Sequence, residues 1–426
     1  MRPWLRLVLL SALAAPLAAC GDNEGAPNAC ANVSGACTSI PATATGADIQ
    51  AALVEAQVGD TIGFSAGIYD VDRDLSLAVD GVTLRGTGSD RSGGTVLNFA
   101  SSAGLRGIRI TSDHTTVEAL AVEDSPGDGI RWEGTDGVHV DDVRVEWTRG
   151  LDARNGRYGL DVVQCENVLV EGCEVRGAAD AGFHLGQSDN VVVRRNLAHE
   201  NVAGIEIESS TRADVYANES TANTGGVLVF NLPGQQVRNG HGTRVFMNSV
   251  HGNDAANVAP AGDVVAGVPA GTGVATMAGH EVEIFDNTIA DHDSVNLAVV
   301  SYLVTGDPID DPLFDPYSDT IDVHDNRVSG TSDNPTGPLG ALLAQSMAEI
   351  MSPPIVVPDL VWDGTADPAK VDGTGELMAD FMICFKDNGD ADFVNLHVPA
   401  GQDPRPDRDA TPHACAHAAL PAVVLP

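Results

Sequence analysis

Six short segments of the chain are versions of one another. Gly107-Ile-Arg-Ile110, Gly129-Ile-Arg-Trp132, Gly159-Leu-Asp-Val162, Gly182-Phe-His-Leu185, Gly204-Ile-Glu-Ile207 and Gly226-Val-Leu-Val229 follow at intervals of 22, 30, 23, 22 and 22 residues. Each alternates apolar and variable positions, the period of a half-buried strand. A second apolar run follows each, such as Val168-Leu-Val170 and Val191-Val-Val193. Most units then reach a small or amide residue: Cys173, Asn196, Asn218, Asn248 and Asn287, with Asn326 continuing the series. Cys173, Asn196, Asn218 and Asn287 lie 14 residues after the glycines at 159, 182, 204 and 273.

A period of this length means a solenoid. One coil of about 22 residues lays down short strands joined by turns, and the next stacks on it at roughly 4.8 Å. An Asn at one inward turn lets each amide hydrogen-bond to the next, satisfying a buried polar row. The expected fold is an all-β, right-handed parallel β-helix over residues 45–330. A leucine-rich repeat shares the period and the Asn/Cys slot, but here Val and Ile dominate and no repeat carries a helical stretch. Ile49, Ala52, Leu53 and Ala56 have helical spacing behind Thr45 or Asp48 as N-cap, predicting a helix over the first coil. Residues 331–426 read as a C-terminal cap, with a helix near 339–351.

The N-terminus predicts an exported protein. Arg2 and Arg6 flank an apolar run from Leu7 to Leu17 that is too short to span a bilayer. It ends in Leu17-Ala18-Ala19-Cys20, which resembles a bacterial lipobox and implies cleavage after residue 19 and lipid on Cys20. Residues 20–44 then form a lipidated tether in the cell envelope. The remaining six cysteines suit an oxidising compartment, and local pairing would give Cys30–Cys37 and Cys384–Cys415. The net charge of −37 excludes nucleic acid as partner.

Tyr158-Gly159-Leu160, the runs 227–233 (VLVFNLP) and 282–289 (VEIFDNTI) and the closing 420–425 (LPAVVL) carry a family resemblance. The chain resembles bacterial β-helix repeat lipoproteins of the pectate-lyase-like superfamily, often encoded beside a dihaem c-type cytochrome. That resemblance implies the fold and an envelope location, and it brings no catalytic residue with it.

Strand alternation points to a surface that could do chemistry. Residues one and three after each repeat glycine face inward, so the second faces out. Read coil by coil, the outward column is Arg109, Arg131, Asp161, His184, Glu206 and Leu228. The next column holds Thr111, Glu133, Val163, Gly186, Glu208 and Phe230. A uronate-bearing polysaccharide would place its carboxylate on Arg109 and Arg131, beside Glu133 and Glu208 as further contacts. His184 or Asp161 would take the C5 proton, and Tyr158 or Glu206 would serve the leaving oxygen. Two carboxylates on one face also fit hydrolysis. Tyr158-Gly-Leu-Asp161 is faintly similar to the Tyr-Gly-x-Asp-Pro-His-Asp motif of alginate epimerases, but Val162, Val163 and Gln164 replace its last three residues.

The bland alternative is a solvated face whose opposite charges neutralise each other. From another functional class comes a scaffold that docks a membrane-associated partner such as a c-type cytochrome. No cofactor is expected except Ca²⁺, for which Asp310, Asp311, Asp315 and Asp319 offer oxygens. His199, His241 and His251 share no ligand spacing, and the glycine-rich stretch 86–94 reads as a turn.

Overall fold

The structure is a computed structural model that describes residues 29–31, 33–398 and 405–426. The predicted signal segment, Cys20 and most of the tether lie outside the described residues. The described chain winds into coils whose strands pair in parallel, forming an 11-stranded sheet and a 20-stranded sheet that wraps the remaining sides. The 11-stranded sheet, called the front sheet here, runs from Leu75–Leu77 to Phe393–Asn395. The wrapped sheet is continuous because one long strand, Asp136–Glu146, turns the corner. It pairs with both Glu166–Glu171 and Glu174–Arg176 of the next coil.

Front-sheet register follows the repeat. Arg109 pairs with Arg131, Arg131 with Asp161, Asp161 with His184, His184 with Glu206, and Glu206 with Leu228. The alternate residues (Ile130, Trp132, Leu160, Val162, Phe183, Leu185, Ile205 and Ile207) fill the solenoid interior and are fully buried. The coils do not stop at residue 330. Leu360–Trp362 and Phe393–Asn395 extend the front sheet, and Ile383–Lys386 extends the other. The region expected to be only a cap thus carries further coils between its loops.

Amide stacking fixes the coil-to-coil geometry. Asn196, Asn218, Asn248, Asn287, Asn326 and Asn388 form one ladder, each passing its Nδ2 to the next Oδ1 at 2.9–3.0 Å. Each Oδ1 also accepts the preceding ladder residue's backbone N–H, and Cys173 heads the row by donating its N–H to Asn196. The residue before each ladder position adopts a left-handed conformation: Gly172, Arg195, Ala217, Met247, Asp286, Asp325 and Asp387. That conformation costs a non-glycine residue about 1 kcal/mol, and the ladder bonds offset it. A second ladder, five residues further on, runs Asn201, Asn223, Asn253 and His292. Burial holds the His292 imidazole down to about 4, so it accepts rather than carries charge.

Each end of the described solenoid carries its own restraint. Helix α1, Gly46–Glu55, starts at Thr45 with a reciprocal capping box to Asp48. Ile49 and Leu53 enter the core. Gln50 pairs its side-chain amide with both backbone groups of Ser76 (2.8 and 2.9 Å), so the first front-sheet strand presents no open edge there. At the other end, the Cys384–Cys415 disulfide anchors a strap, residues 415–426, that runs back over the wrapped sheet. His417, Leu420 and Val423 donate their backbone N–H groups to Asp322, Glu283 and Asp214, and Asn190 donates to the Val424 carbonyl. Cys30–Cys37 is also bonded, whereas Cys165 and Cys173 are buried thiols.

The outer face of the front sheet departs from expectation, because it is covered. Toward the C-terminal coils it turns apolar through Leu228, Phe230, Met277, Ala298 and Val361, all buried. Val265, Val268, Tyr302, Phe314 and the Leu343 and Met347 side chains of helix α2 (Gly337–Met347) pack on it as a second core. The solvated-face reading is thereby corrected: the insertions between coils fold over the face instead of projecting from it.

Replacing Asn218 by Ala strands the Asn196 backbone N–H, one of the two N–H groups of its side-chain amide, and the Val193 carbonyl. The expected loss is about 3 kcal/mol, read as a lowered midpoint in urea unfolding. Cys173→Asn, which lengthens the row by one amide, should raise the midpoint.

Candidate functional site

Four residues of the outward column (Arg109, Arg131, Asp161 and His184) and two of the next (Glu133 and Glu208) build a line of charges of alternating sign. Arg109 Nη2 lies 2.8 Å from Glu133 Oε2, and Glu133 Oε1 lies 3.7 Å from Arg131 Nη2. Arg131 in turn pairs with Asp161, and His184 Nδ1 lies 2.7 Å from Asp161 Oδ1. Beyond it, Glu208 Oε2 stands 3.5 Å from His184 Nε2. Parallel register makes this line possible, since every link but Arg131–Glu133, which lies within one strand, joins residues one coil apart. Gly186 completes it by absence: a Cβ there would sit 2.8 Å from the His184 ring.

Exposure falls steeply along the row. Arg109 and Glu133 are open to solvent, Arg131 is about one-fifth exposed, and Asp161, His184 and Glu206 are buried. The cover is built from Arg157 and Tyr158, at the end of the insertion 149–158. Tyr158 stacks on His184 with centroids 4.3 Å apart and planes 15° from parallel. Arg157 lies over the Tyr158 ring and clamps Asp180 at 2.8 Å and Asp263 at 3.1 Å. Asp263 belongs to the later insertion 254–270, so one guanidinium joins two loops into a roof.

Burial decides the protonation states. Burial alone would strip the His184 proton, but the carboxylates of Asp161 and Glu208 outweigh it and hold the ring well above its usual range, as an imidazolium. Glu206 is driven the other way: burial, with Asp180 and Glu208 nearby, raises it well above the ordinary carboxyl range, so it stays neutral. Under the roof, Glu206 Oε2 has no hydrogen-bond partner, and His184 Nε2 has only the 3.5 Å charge contact with Glu208.

The sequence reading brought Arg109, Arg131, Asp161, His184, Glu206, Glu133, Glu208 and Tyr158 to one place, and the structure joins them. It missed Asp128, whose carboxylate stands 3.8 Å from Arg131 Nη1. Burial and the Asp161 charge raise Asp128 to about 6. The signal was the turn position just before the repeat glycine at 129, outside the strand pattern used to assign columns. Arg157 and Asp180 were missed too, being loop residues without periodicity.

The four aspartates considered for Ca²⁺ do not gather. Asp311 pairs with Arg238 at 2.5 Å, whereas Asp315 and Asp319 both meet Lys370 at 2.7 Å. His199 and His251 contact Glu174 and Glu219 on their own coil faces.

Residues 106–266 match the family model described as a right handed beta helix region. The fold is a right-handed parallel β-helix. No curated protein matches the sequence at a significant level. Among solved structures, the A-module of the mannuronan C-5 epimerase AlgE4 of Azotobacter vinelandii aligns with a TM-score of 0.43 and 19% identity. That alignment covers 68% of this chain and 85% of the other. Endopolygalacturonase I of Stereum purpureum aligns at 0.43 and 14%, covering 70% and 90%. The polygalacturonase of Erwinia carotovora ssp. carotovora aligns at 0.37 and 13%, covering 70% and 94%.

A raised folded-state pKa means the native protein binds the proton more tightly, so stability is lost as pH rises through that value. For His184 the contribution is complete below about 6.5 and declines above, where the folded ring finally releases its proton. His184→Gln should therefore flatten the alkaline limb of a urea-midpoint-against-pH curve that falls in the wild type.

Proposed function

We propose that this chain is an exported, envelope-held β-helix that binds a uronate-bearing polysaccharide and modifies it by proton transfer, as a lyase or an epimerase does. The observation that carries the reading is an under-satisfied buried pair, Glu206 Oε2 without a partner and His184 Nε2 with only a 3.5 Å contact to Glu208, beside an arginine row that opens to solvent. Buried polar groups in native proteins are nearly always satisfied, and an exception calls for a reason such as a catalytic role or a water or ligand that pairs with it.

The chemistry follows from the protonation states. A glycan carboxylate would displace Glu133 from Arg109 and Arg131, whose charges stabilise the enolate-like intermediate formed when C5 loses its proton. Asp128 is matched to the base role, being ionised above about 6 and still basic enough to accept a proton. His184 enters as an imidazolium, so it suits the acid role in preference to the base role expected from sequence. Glu206 is a second neutral donor, and Tyr158, with its hydroxyl held protonated by burial, completes the donor side. Asp161 orients both Arg131 and His184.

Substrate reaches His184 only when the Arg157 roof lifts. Arg157→Ala unlinks the two loops, and hydrogen–deuterium exchange at the His184 ring C2, which proceeds through the imidazolium, should then run at least tenfold faster. Placement in the envelope is supported by the lipobox-like Cys20 and by two disulfides suited to an oxidising compartment.

A glycan array and a screen for unsaturated product or C5 inversion test the function. Arg131→Ala is expected to weaken glycan binding at least tenfold, and Asp128→Asn to abolish turnover while leaving binding within threefold. A silent array combined with capture of a membrane-associated protein, such as a c-type cytochrome, would replace this reading with the docking scaffold. The closed roof is the observation that favours the scaffold.

A further inference from the structure

A second polar cleft, of about 570 Å³, opens at the corner where the front sheet turns into the wrapped sheet. Its floor is a column of strand-starting residues: His241 pairs with His280, and His280 with Asp319, on successive coils. Its walls come from three separate insertions, through Asn239, Asp315 and the pair Lys370 and Phe381. None of these residues takes part in the arginine row.

We propose that this cleft is a site for a divalent transition-metal ion, held by His280, Asp315 and Asp319, with Lys370 as a tethered cation that the metal displaces. One ligand atom from each of the three residues lies within 4.8 Å of the others. His280 is nine-tenths buried, and its Nε2 has no hydrogen-bond partner. Its Nδ1 stands 2.8 Å from Asp319 Oδ2, so Nδ1 is the ring nitrogen that faces the carboxylates and would take the metal in place of that hydrogen bond, while Nε2 points away and keeps the ring proton. Thr320 Oγ1 donates to the other Asp319 oxygen at 2.8 Å, fixing the carboxylate plane.

Lys370 shows that the position already favours a cation. Its Nζ lies 2.7 Å from both Asp315 and Asp319 and 3.8 Å from Asp367. Glu281 and Asp380 also line the cleft, so carboxylates outnumber the single ammonium. A lysine stem is flexible and can withdraw. An imidazole beside two carboxylates suits Zn²⁺ or Mn²⁺, whereas Ca²⁺ prefers oxygen ligands alone. The geometry therefore redirects the Ca²⁺ expectation for Asp315 and Asp319 toward a nitrogen-containing site and leaves Asp310 and Asp311 outside it.

The test is calorimetry of the metal-stripped full chain with Zn²⁺, Mn²⁺ and Ca²⁺, together with thermal melts. Expected results are one Zn²⁺ or Mn²⁺ per chain, no displacement by Ca²⁺, and at least tenfold weaker binding in His280→Ala and Asp319→Asn. Lys370→Met removes the competitor and should bind at least tenfold tighter, with a melting point that metal raises more than in the wild type. Lys370→Arg keeps the charge and grips both carboxylates in a planar fork, so it should bind at least tenfold more weakly and stands in if the methionine variant does not fold. The proposal is overturned if neither the wild type nor a folded Lys370 variant takes up metal, if uptake ignores His280, or if Lys370→Met weakens it.

Discussion

Parallel hydrogen bonding between coils at one fixed register is the interaction on which everything else in this molecule rests. It turns sequence separation into vertical adjacency, so that Asp161 meets His184 although 23 residues lie between them. Backbone pairing alone would tolerate a slip, but the inward Asn ladders do not. A coil displaced by one residue would turn its Asn outward and leave buried amides above and below without partners.

The same constraint explains why an extended row of ionised side chains survives under cover. An isolated buried charge is expensive, and each member here is flanked by opposite charge on its own or the neighbouring coil. Arg131 sits between Glu133 and Asp161, and His184 between Asp161 and Glu208. Where the alternation fails, at Glu206 next to Leu228, the carboxyl gives up its charge instead. The front sheet is thus polar-covered at one end and apolar-covered at the other, with both of its faces buried across the middle coils.

What could be read from the sequence was whatever repeats. The strand pattern gave the outward column with its register, the Asn slot gave most of one ladder, and helical spacing behind Thr45 gave α1. The remaining gaps have physical causes. Asn388 was hidden because 62 residues of loop and helix separate it from Asn326, which breaks the period. Asn201, Asn223, Asn253 and His292 repeat just as regularly, but the visible apolar strands drew attention to the earlier slot. The roof was out of reach: nothing local in residues 149–158 or 254–270 says that Arg157 and Asp263 will meet. Burial of the charged column follows from that meeting, so its solvent exposure was misjudged for the same reason.

The strap that begins at Cys415 bears on how the solenoid comes apart. An array held only by nearest-neighbour contacts can peel from either end, one repeat at a time. Here a covalent link at Cys384 and backbone contacts to Asp322, Glu283 and Asp214 lash several layers together lengthwise. Peeling the last layers requires cutting that lashing first, so the C-terminal half resists fraying as a block, and reduction of a single sulfur–sulfur bond would restore layer-by-layer unravelling.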